Sequence, residues 1–194
     1  RLSGSGIVDY SWSSDGKALL FPLAGEVYYY RLAEGKHAAS VKKLLDTPEL
    51  ETDIQLSPNS TYISYIREQN LFVLNIETGK ETAITRQGGG HIKYGMAEFV
   101  AQEEMDRLTG YWWSPDERHI AFTRVDETPV KVITRSEIYA DSIEMIEQKY
   151  PLAGTDNVDV QLAIQNVSSG KRQWIDLGKE KDIYLTRGAW AEDN

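Results

Sequence analysis

The sequence predicts an all-β fold made of four-stranded antiparallel sheets, and two observations support this prediction. One hairpin motif recurs along the chain: an apolar strand end, a serine or alanine, a turn rich in Asp, Asn, Pro and Gly, and a second apolar strand. Its four copies are Tyr10–Phe21, Ile54–Tyr65, Tyr111–Phe122 and Gly188–Asn194. A second motif, Asn-x-x-Thr/Ser-Gly-Lys, joins two apolar strands within Asn70–Thr85 and again within Val160–Leu177. Polar turns with glycine between apolar strands are typical of β-hairpins.

The spacing of the repeat indicates a β-propeller. The copies align on Trp12, Leu56, Trp113 and Trp190, which lie 44, 57 and 77 residues apart. The first spacing matches one propeller blade, which is a four-stranded antiparallel sheet. We therefore expect about three blades, and the two longer spacings must hold insertions. Turns are predicted at Ser14–Gly16, Pro58–Ser60 and Pro115–Glu117, because Pro, Asp, Asn and Gly suit the central positions of tight turns.

The two insertions differ in character. The first contains the segment AEFVAQEEMDR, which interrupts the strands and predicts a short helix near Phe99–Arg107, within an insert of about residues 97–108. The second follows Trp113 and predicts strands that extend away from the blade. The last copy of the repeat stops at Asp193-Asn194, inside its hairpin. Because an unfinished blade leaves unpaired backbone groups and a propeller needs at least four blades, residues 1–194 are expected to be a propeller fragment.

The composition excludes several classes of function. The net charge is −9 and no dense cluster of Lys or Arg occurs, which argues against nucleic-acid binding. The absence of cysteine excludes disulfides, thiolate nucleophiles and cysteine-bound metals. The three histidines are not spaced as metal ligands, so neither a metal nor a cofactor is predicted. No apolar run approaches the roughly 20 residues of a membrane span.

No catalytic residue is predicted in this chain. A serine nucleophile of the hydrolase type sits in a Gly-x-Ser-x-Gly elbow between a strand and a helix, and the sequence contains none. The isolated chain is therefore expected to lack peptidase activity.

The glutamates Glu103 and Glu104 of the predicted helix are the candidate binding residues. Adjacent carboxylates repel each other, so either they are solvated and idle or they receive a cation. In the first alternative the helix surface is simply polar, with Asp106 and Arg107 forming a further pair in solvent. In the second alternative the cation is a primary ammonium, whose three donors and positive charge suit two carboxylates.

The segment Ala97–Val130, which contains the Glu-Glu, Tyr-Trp-Trp-Ser-Pro and Asp-Glu-Thr motifs, resembles the N-terminal propeller of the dipeptidyl peptidase IV family, above all its bacterial members. Tyr150–Val167 also resembles that family's Tyr-Pro-x-Ala-Gly segment, so the resemblance covers most of the chain. It implies an eight-bladed propeller over an α/β-hydrolase domain with a Ser-Asp-His triad, which is absent here. It implies removal of N-terminal dipeptides with Pro or Ala in second place, without a cofactor.

By motif match, the resemblance implies that Glu103 and Glu104 bind the α-ammonium of a peptide substrate with a free N-terminus. It further implies a homodimer and a periplasmic or secreted location, with the cytoplasm left open. The family's propeller also supplies an arginine for the substrate carbonyl. Arg67 and Arg86 are candidates by residue type only, and neither is assigned.

A second class of function stays open alongside the peptidase, namely a propeller that only binds or scaffolds, of the TolB-like kind. A third, lesser alternative is an endopeptidase or acylpeptidase relative, which has no need of an ammonium site. A Gly-x-Ser-x-Gly elbow downstream in the same reading frame would favour the peptidase.

Overall fold

The computed structural model describes residues 6–7 and 9–191, and it confirms the predicted all-β fold of four-stranded antiparallel blades. The strands of blade 1 are β1 (Ser11–Trp12), β2 (Ala18–Leu23), β3 (Glu26–Arg31) and β4 (Ser40–Leu45). Those of blade 2 are β5 (Glu51–Leu56), β6 (Tyr62–Arg67), β7 (Asn70–Asn75) and β8 (Glu81–Ala83). In each of these blades the four strands pair in chain order.

Blade 3 has the same core and carries both insertions. After β9 (Ile92–Tyr94) the chain forms the helix α1 (Phe99–Glu104) and then β10 (Tyr111–Trp113) and β11 (His119–Asp126). A two-stranded hairpin, β12 (Val132–Ile138) and β13 (Ile143–Lys149), follows before β14 (Asp159–Asn166) and β15 (Arg172–Trp174). The blade order is β10-β11-β14-β15, and β9 pairs with the far end of β11. The predicted helical insertion and the predicted extra strands are therefore both present.

The three predicted turns are confirmed. In each, the third turn residue donates its backbone N–H to a serine carbonyl three residues earlier: Gly16 to Ser13, Ser60 to Ser57 and Glu117 to Ser114, at 2.8–3.0 Å. That third residue has a positive φ in all three blades, between 58° and 67°. Glycine adopts this conformation freely, whereas Ser60 and Glu117 adopt it at some conformational cost.

The register confirms that the copies of the repeat are structurally equivalent. Trp12 pairs with Leu19, Leu56 with Ile63 and Trp113 with Ile120, and each of Trp12, Leu56 and Trp113 is the last residue of an edge strand of its blade. The fourth predicted copy, Gly188–Asn194, lies partly outside the described residues, and its described part contains no strand.

The blades pack face to face, and blade 2 is apolar on both faces. One face, with Ile63, Tyr65, Leu74 and Ile76, packs on blade 1. The other face, with Ile66, Leu71, Val73 and Ile84, packs on blade 3. Strands buried on both faces are continuously apolar rather than alternating, which accounts for the run TYISYI in β6.

Specific hydrogen bonds between blades 2 and 3 accompany this apolar packing. The Trp113 indole of blade 3 donates a hydrogen bond to the Ser64 hydroxyl of blade 2 at 2.9 Å. The Asn59 backbone N–H of the blade 2 turn donates to the Glu117 carboxylate of the blade 3 turn at 2.6 Å. The two blades are thereby joined both between β10 and β6 and between the turns that follow β5 and β10. Within the described ranges, no helix is long and apolar enough to cross a membrane.

Candidate functional site

The insert that carries the glutamate pair is a closed loop between β9 and β10 of blade 3. Its two ends meet at an antiparallel bridge between Met96 and Thr109. The Gly110 N–H donates to the Gly95 carbonyl at 3.2 Å, and the Gly95 N–H donates to the backbone carbonyl of Thr123 in β11 at 2.8 Å. The loop therefore begins and ends at one point on the blade, and that point is tied to the central strand β11.

Glycine at position 110 is required by close approach of the two ends. A Cβ atom there would lie within 2.5 Å of the backbone carbon and nitrogen of Met96, which no side chain tolerates. Gly95 is also constrained, because its φ is +67° and a Cβ would lie 2.9 Å from the Ile66 side chain. Only a pair of glycines allows the loop to close this tightly.

Helix α1 has six residues, so tertiary contacts must stabilise it, since isolated helices of this length are marginal in water. Ala101 is fully buried, and the Phe99 ring packs on Tyr150 with centroids 4.9 Å apart. The Gln102 side chain donates to the Ala97 carbonyl at 2.6 Å. The helix ends at Glu104, earlier than the predicted Arg107. Asp106 takes a positive φ of 50°, which turns the chain out of the helical conformation.

Glu103 and Glu104 are exposed at the carboxyl-terminal end of α1. Within residues 6–7 and 9–191, neither carboxylate takes part in an ion pair or a side-chain hydrogen bond. The last turn of α1 carries no basic residue either. Backbone carbonyls at a helix end disfavour negative charge, so both carboxylates lie where a cation is favoured.

The prediction that Asp106 and Arg107 form a pair in solvent is wrong. Arg107 is buried, with 4% of its side chain exposed, and it forms an ion pair with Glu98, whose side chain is 2% exposed. Glu98 is the residue that immediately precedes α1. Neither residue was predicted to matter, because a Glu and an Arg nine residues apart across a short helix give no periodic signal.

The two arginines considered for a substrate carbonyl lie apart from the insert in sequence, on blade 2 and in the segment that follows it. Arg67 of β6 is already engaged by Glu81 at 2.7 Å and Glu51 at 3.5 Å, and its guanidinium lies 4.4 Å from the centre of the Phe72 ring. Arg86 is exposed. Arg67 thus has a structural role that accounts for its position, and neither arginine is assigned to the substrate.

The base of the insert also contacts blade 2. The Tyr111 hydroxyl donates to the Asp53 carbonyl, and the Gln55 side chain donates to the Thr109 hydroxyl at 3.0 Å. Burial raises the pKa of the Asp53 carboxyl, while hydrogen bonds with Thr109 and Gln55 act in the opposite direction. One oxygen of this carboxyl has no partner among the described residues.

Replacing Asp53 with Asn is expected to raise the free energy of unfolding at pH 7. A raised native pKa means that the native state binds more protons than the unfolded state, so stability falls as pH rises above the ordinary Asp value of about 3.9. Asn tolerates the positive φ of 49° at this position and removes the buried charge. The gain should therefore shrink as pH falls toward 3.9, as measured by denaturant titration followed by tryptophan fluorescence.

Asp116 provides a control of opposite sign. Hydrogen bonds from the Ser114 hydroxyl and the Arg118 backbone lower the pKa of its carboxyl, so its charge contributes stability above the unfolded pKa that is lost at acidic pH. Asp116→Asn should lower stability at pH 7. If Asp53→Asn also lowered stability at pH 7, the buried carboxylate would be favourable and the prediction wrong.

Comparison with known proteins identifies the chain's relatives. The sequence model described as the dipeptidyl peptidase IV (DPP IV) N-terminal region matches residues 13–194. The chain is 33% identical over 165 residues to a protein of Fusarium vanettenii named "Probable dipeptidyl-aminopeptidase B", a match that covers 75% of this chain and 17% of that protein. It is 30% identical over 168 residues to a "Probable dipeptidyl peptidase 4" of Aspergillus flavus, covering 79% and 21%.

Among solved structures, the dipeptidyl peptidase 4 of Porphyromonas gingivalis superposes with a TM-score of 0.78 at 24% identity. That superposition covers 96% of this chain and 28% of the other, and it shows a shared fold. The chain spans about a fifth of the length of the curated relatives that it matches. Since the family model matches nearly the whole chain, the chain belongs to the dipeptidyl peptidase IV family, to its N-terminal region.

Proposed function

We propose that this chain is the substrate-recognition part of a serine exopeptidase that removes N-terminal Xaa-Pro or Xaa-Ala dipeptides. In this proposal Glu103 and Glu104 bind the α-ammonium of the substrate. The observation that carries it is a pair of carboxylates without protein partners among the described residues, on a helix whose loop is closed and anchored at its base. The names of the relatives, dipeptidyl peptidases and dipeptidyl aminopeptidases, support the reaction class.

The chemistry of the site suits a free chain end. An α-amino group has a pKa of about 7.7–8.0, so it is mostly cationic at neutral pH. Its three donors can be shared between two carboxylates by charge-assisted hydrogen bonds. A peptide whose amine is already in an amide bond has neither the charge nor the donors. Two fixed carboxylates would therefore select chain ends and set the distance from the end at which the chain is cut.

The catalytic groups are proposed to lie in an α/β-hydrolase domain outside this chain, with a serine nucleophile. The prediction that this chain alone is inactive remains a prediction, as does its status as a fragment of a larger propeller. The periplasmic or secreted location likewise remains a proposal that depends on the bacterial resemblance. Nothing in the described geometry favours the alternative of a propeller that only scaffolds.

The ammonium site is tested by blocking the substrate amine. With the full-length enzyme, acetylation of the N-terminus of a chromogenic Xaa-Pro substrate should lower kcat/KM by at least about 30-fold, because a charged, hydrogen-bonded partner is lost. Equal turnover of the free and acetylated substrates would rule out recognition of the ammonium by any group.

The hairpin β12–β13 offers a surface for a second copy of the chain, and we propose that the enzyme is a homodimer. One face of the hairpin bears Val132, Ile138, Ile143 and Met145, all more than half exposed. A two-stranded hairpin is only marginally stable alone, and an exposed apolar patch of this kind marks an interface.

The double variant Ile138→Lys with Ile143→Lys should convert the full-length protein to monomers, as measured by light scattering. An unchanged dimer mass would place the interface elsewhere.

A further inference from the structure

We propose that the buried ion pair of Glu98 and Arg107 positions Glu103 and Glu104 for the substrate ammonium. The inference rests on the proposed function, and it assigns a role to two residues that do not touch the substrate. Both are positioning residues in this sense.

The ion pair closes the insert around the glutamates. Arg107 Nη2 donates to Glu98 Oε2 at 2.5 Å, and both side chains are almost fully buried. Glu98 directly precedes the first residue of α1, and Arg107 lies three residues beyond its last. Both ends of the segment that holds the glutamate pair are therefore fixed to each other by one contact in the protein interior.

The same guanidinium joins the insert to two further segments. Arg107 Nη1 donates to the Thr109 carbonyl at 2.9 Å, which is on the return from the loop. Its Nε donates to the Leu185 carbonyl at 3.0 Å, which belongs to the segment after blade 3. A guanidinium offers donors in a rigid plane, so these three bonds together define one orientation of the loop. A lysine ammonium in the same place has fewer donors and no fixed plane.

Stability alone does not account for this arrangement. Apolar residues of similar volume often replace a buried ion pair with no loss of stability, because desolvation of the two charges opposes their attraction. Here desolvation is poorly compensated, since Glu98 Oε1 is buried without a partner among the described residues. The ion pair does supply a defined orientation of α1. A six-residue helix with two repelling carboxylates at its end cannot fix its own orientation.

Position matters at this site because recognition is by charge-assisted hydrogen bonds at fixed distance. A displacement of about 1 Å in a positioning element can lower a rate by about 100-fold. Loss of the Glu98–Arg107 contact should therefore reduce the preference for free-amine substrates while leaving the remainder of the catalytic machinery intact.

The test uses the full-length enzyme with the variants Arg107→Lys and Glu98→Gln. The readout is the ratio of kcat/KM for a free-amine Xaa-Pro substrate to that for the same substrate with an acetylated N-terminus. A fold defect lowers the amount of active enzyme for both substrates equally and leaves this ratio unchanged. Loss of positioning lowers the ratio, and we expect a decrease of at least about 10-fold in each variant. Glu98→Gln keeps the side-chain shape, so it serves if Arg107→Lys folds poorly.

Arg172→Lys is the matched control. Arg172 is a partly buried arginine that, like Arg107, donates to a backbone carbonyl, that of Ile84 at 2.7 Å, but among the described residues it forms no hydrogen bond with the insert. Its ratio should equal that of the wild type. If Glu104→Gln lowers the ratio while Glu98→Gln and Arg107→Lys leave it unchanged, the positioning role is overturned and the ammonium site stands. If Glu104→Gln also leaves it unchanged, the ammonium site itself is wrong.

Discussion

Glu104→Gln in the full-length enzyme is expected to lower kcat/KM for free-amine Xaa-Pro substrates by roughly 30-fold to several thousand-fold. Truncating one partner of a desolvated charge pair costs about 2–5 kcal/mol, and each 1.4 kcal/mol is a factor of ten. Glutamine keeps the shape of the side chain and removes its charge, so the change isolates the electrostatic part of the interaction. In the proposed site Glu103 remains, and the ammonium would then be paired with one carboxylate instead of two.

A double-mutant cycle separates this site from an indirect effect. Acetylation of the substrate and Glu104→Gln should not be additive, because both remove the same interaction. The acetylated substrate should therefore be cleaved at nearly the same rate by the variant and by the wild type. If the glutamates are solvated bystanders, Glu104→Gln changes the free energy by only about 0.5 kcal/mol, which is little more than a twofold effect on the rate. Wild-type turnover of the free-amine substrate by the variant would contradict the ammonium site.

Gly110→Ala is expected to destabilise the propeller by about 3 kcal/mol or more, which is the upper end of the usual range for overpacking. The obstacle is the backbone of Met96 rather than a flexible side chain, so it cannot move aside without opening the Met96–Thr109 bridge. For a chain of this size such a loss corresponds to a decrease of about 6–12 °C in Tm. Thermal denaturation followed by tryptophan fluorescence measures it, since the chain has five tryptophans.

Gly79→Ala is the control for this prediction. Gly79 has a φ of +71° and open space where a Cβ would lie, so alanine there incurs only the conformational penalty of about 1–2 kcal/mol. Gly110→Ala should be the more destabilising of the two, and it alone should also lower the free-amine preference of the enzyme. Equal Tm decreases for both variants would show that the close approach at Gly110 is relieved by a small shift.

The fold was largely predictable because the residues that indicate each blade are close together in the sequence. The serine turn, its Asp or Asn, and the apolar strands on both sides are consecutive in the chain, so Ser114 and Asp116 reveal their hairpin without any distant information. Blade length follows from the interval between such turns. The helix could be predicted for the same reason, since its composition differs from that of the strands on either side.

The anchoring of the candidate site could not be predicted, because it depends on contacts between segments that are far apart in sequence. Arg107 bonds to the Leu185 carbonyl, 78 residues away, and nothing in the local pattern distinguishes it from a solvent-exposed arginine. The burial of Asp53 likewise accompanies contacts between distant segments, such as the hydrogen bond from Gln55 to Thr109, 54 residues away. Gly110 lies within the segment Ala97–Val130 that carries the family resemblance, but the requirement for glycine at this position follows only from the position of Met96.

The two apolar faces of blade 2 have a consequence for synthesis on the ribosome. Ile66 faces blade 3, and its cluster is completed by Ala163 of β14, roughly 100 residues later in the chain. At about 5–20 residues per second, translation of that interval takes roughly 5–20 s. During this time the cluster on this side of blade 2 remains incomplete, and the hairpin β12–β13 lengthens the delay by separating β11 from β14. We therefore expect the nascent chain to expose apolar surface at this stage, which is the kind of surface that holdase chaperones bind.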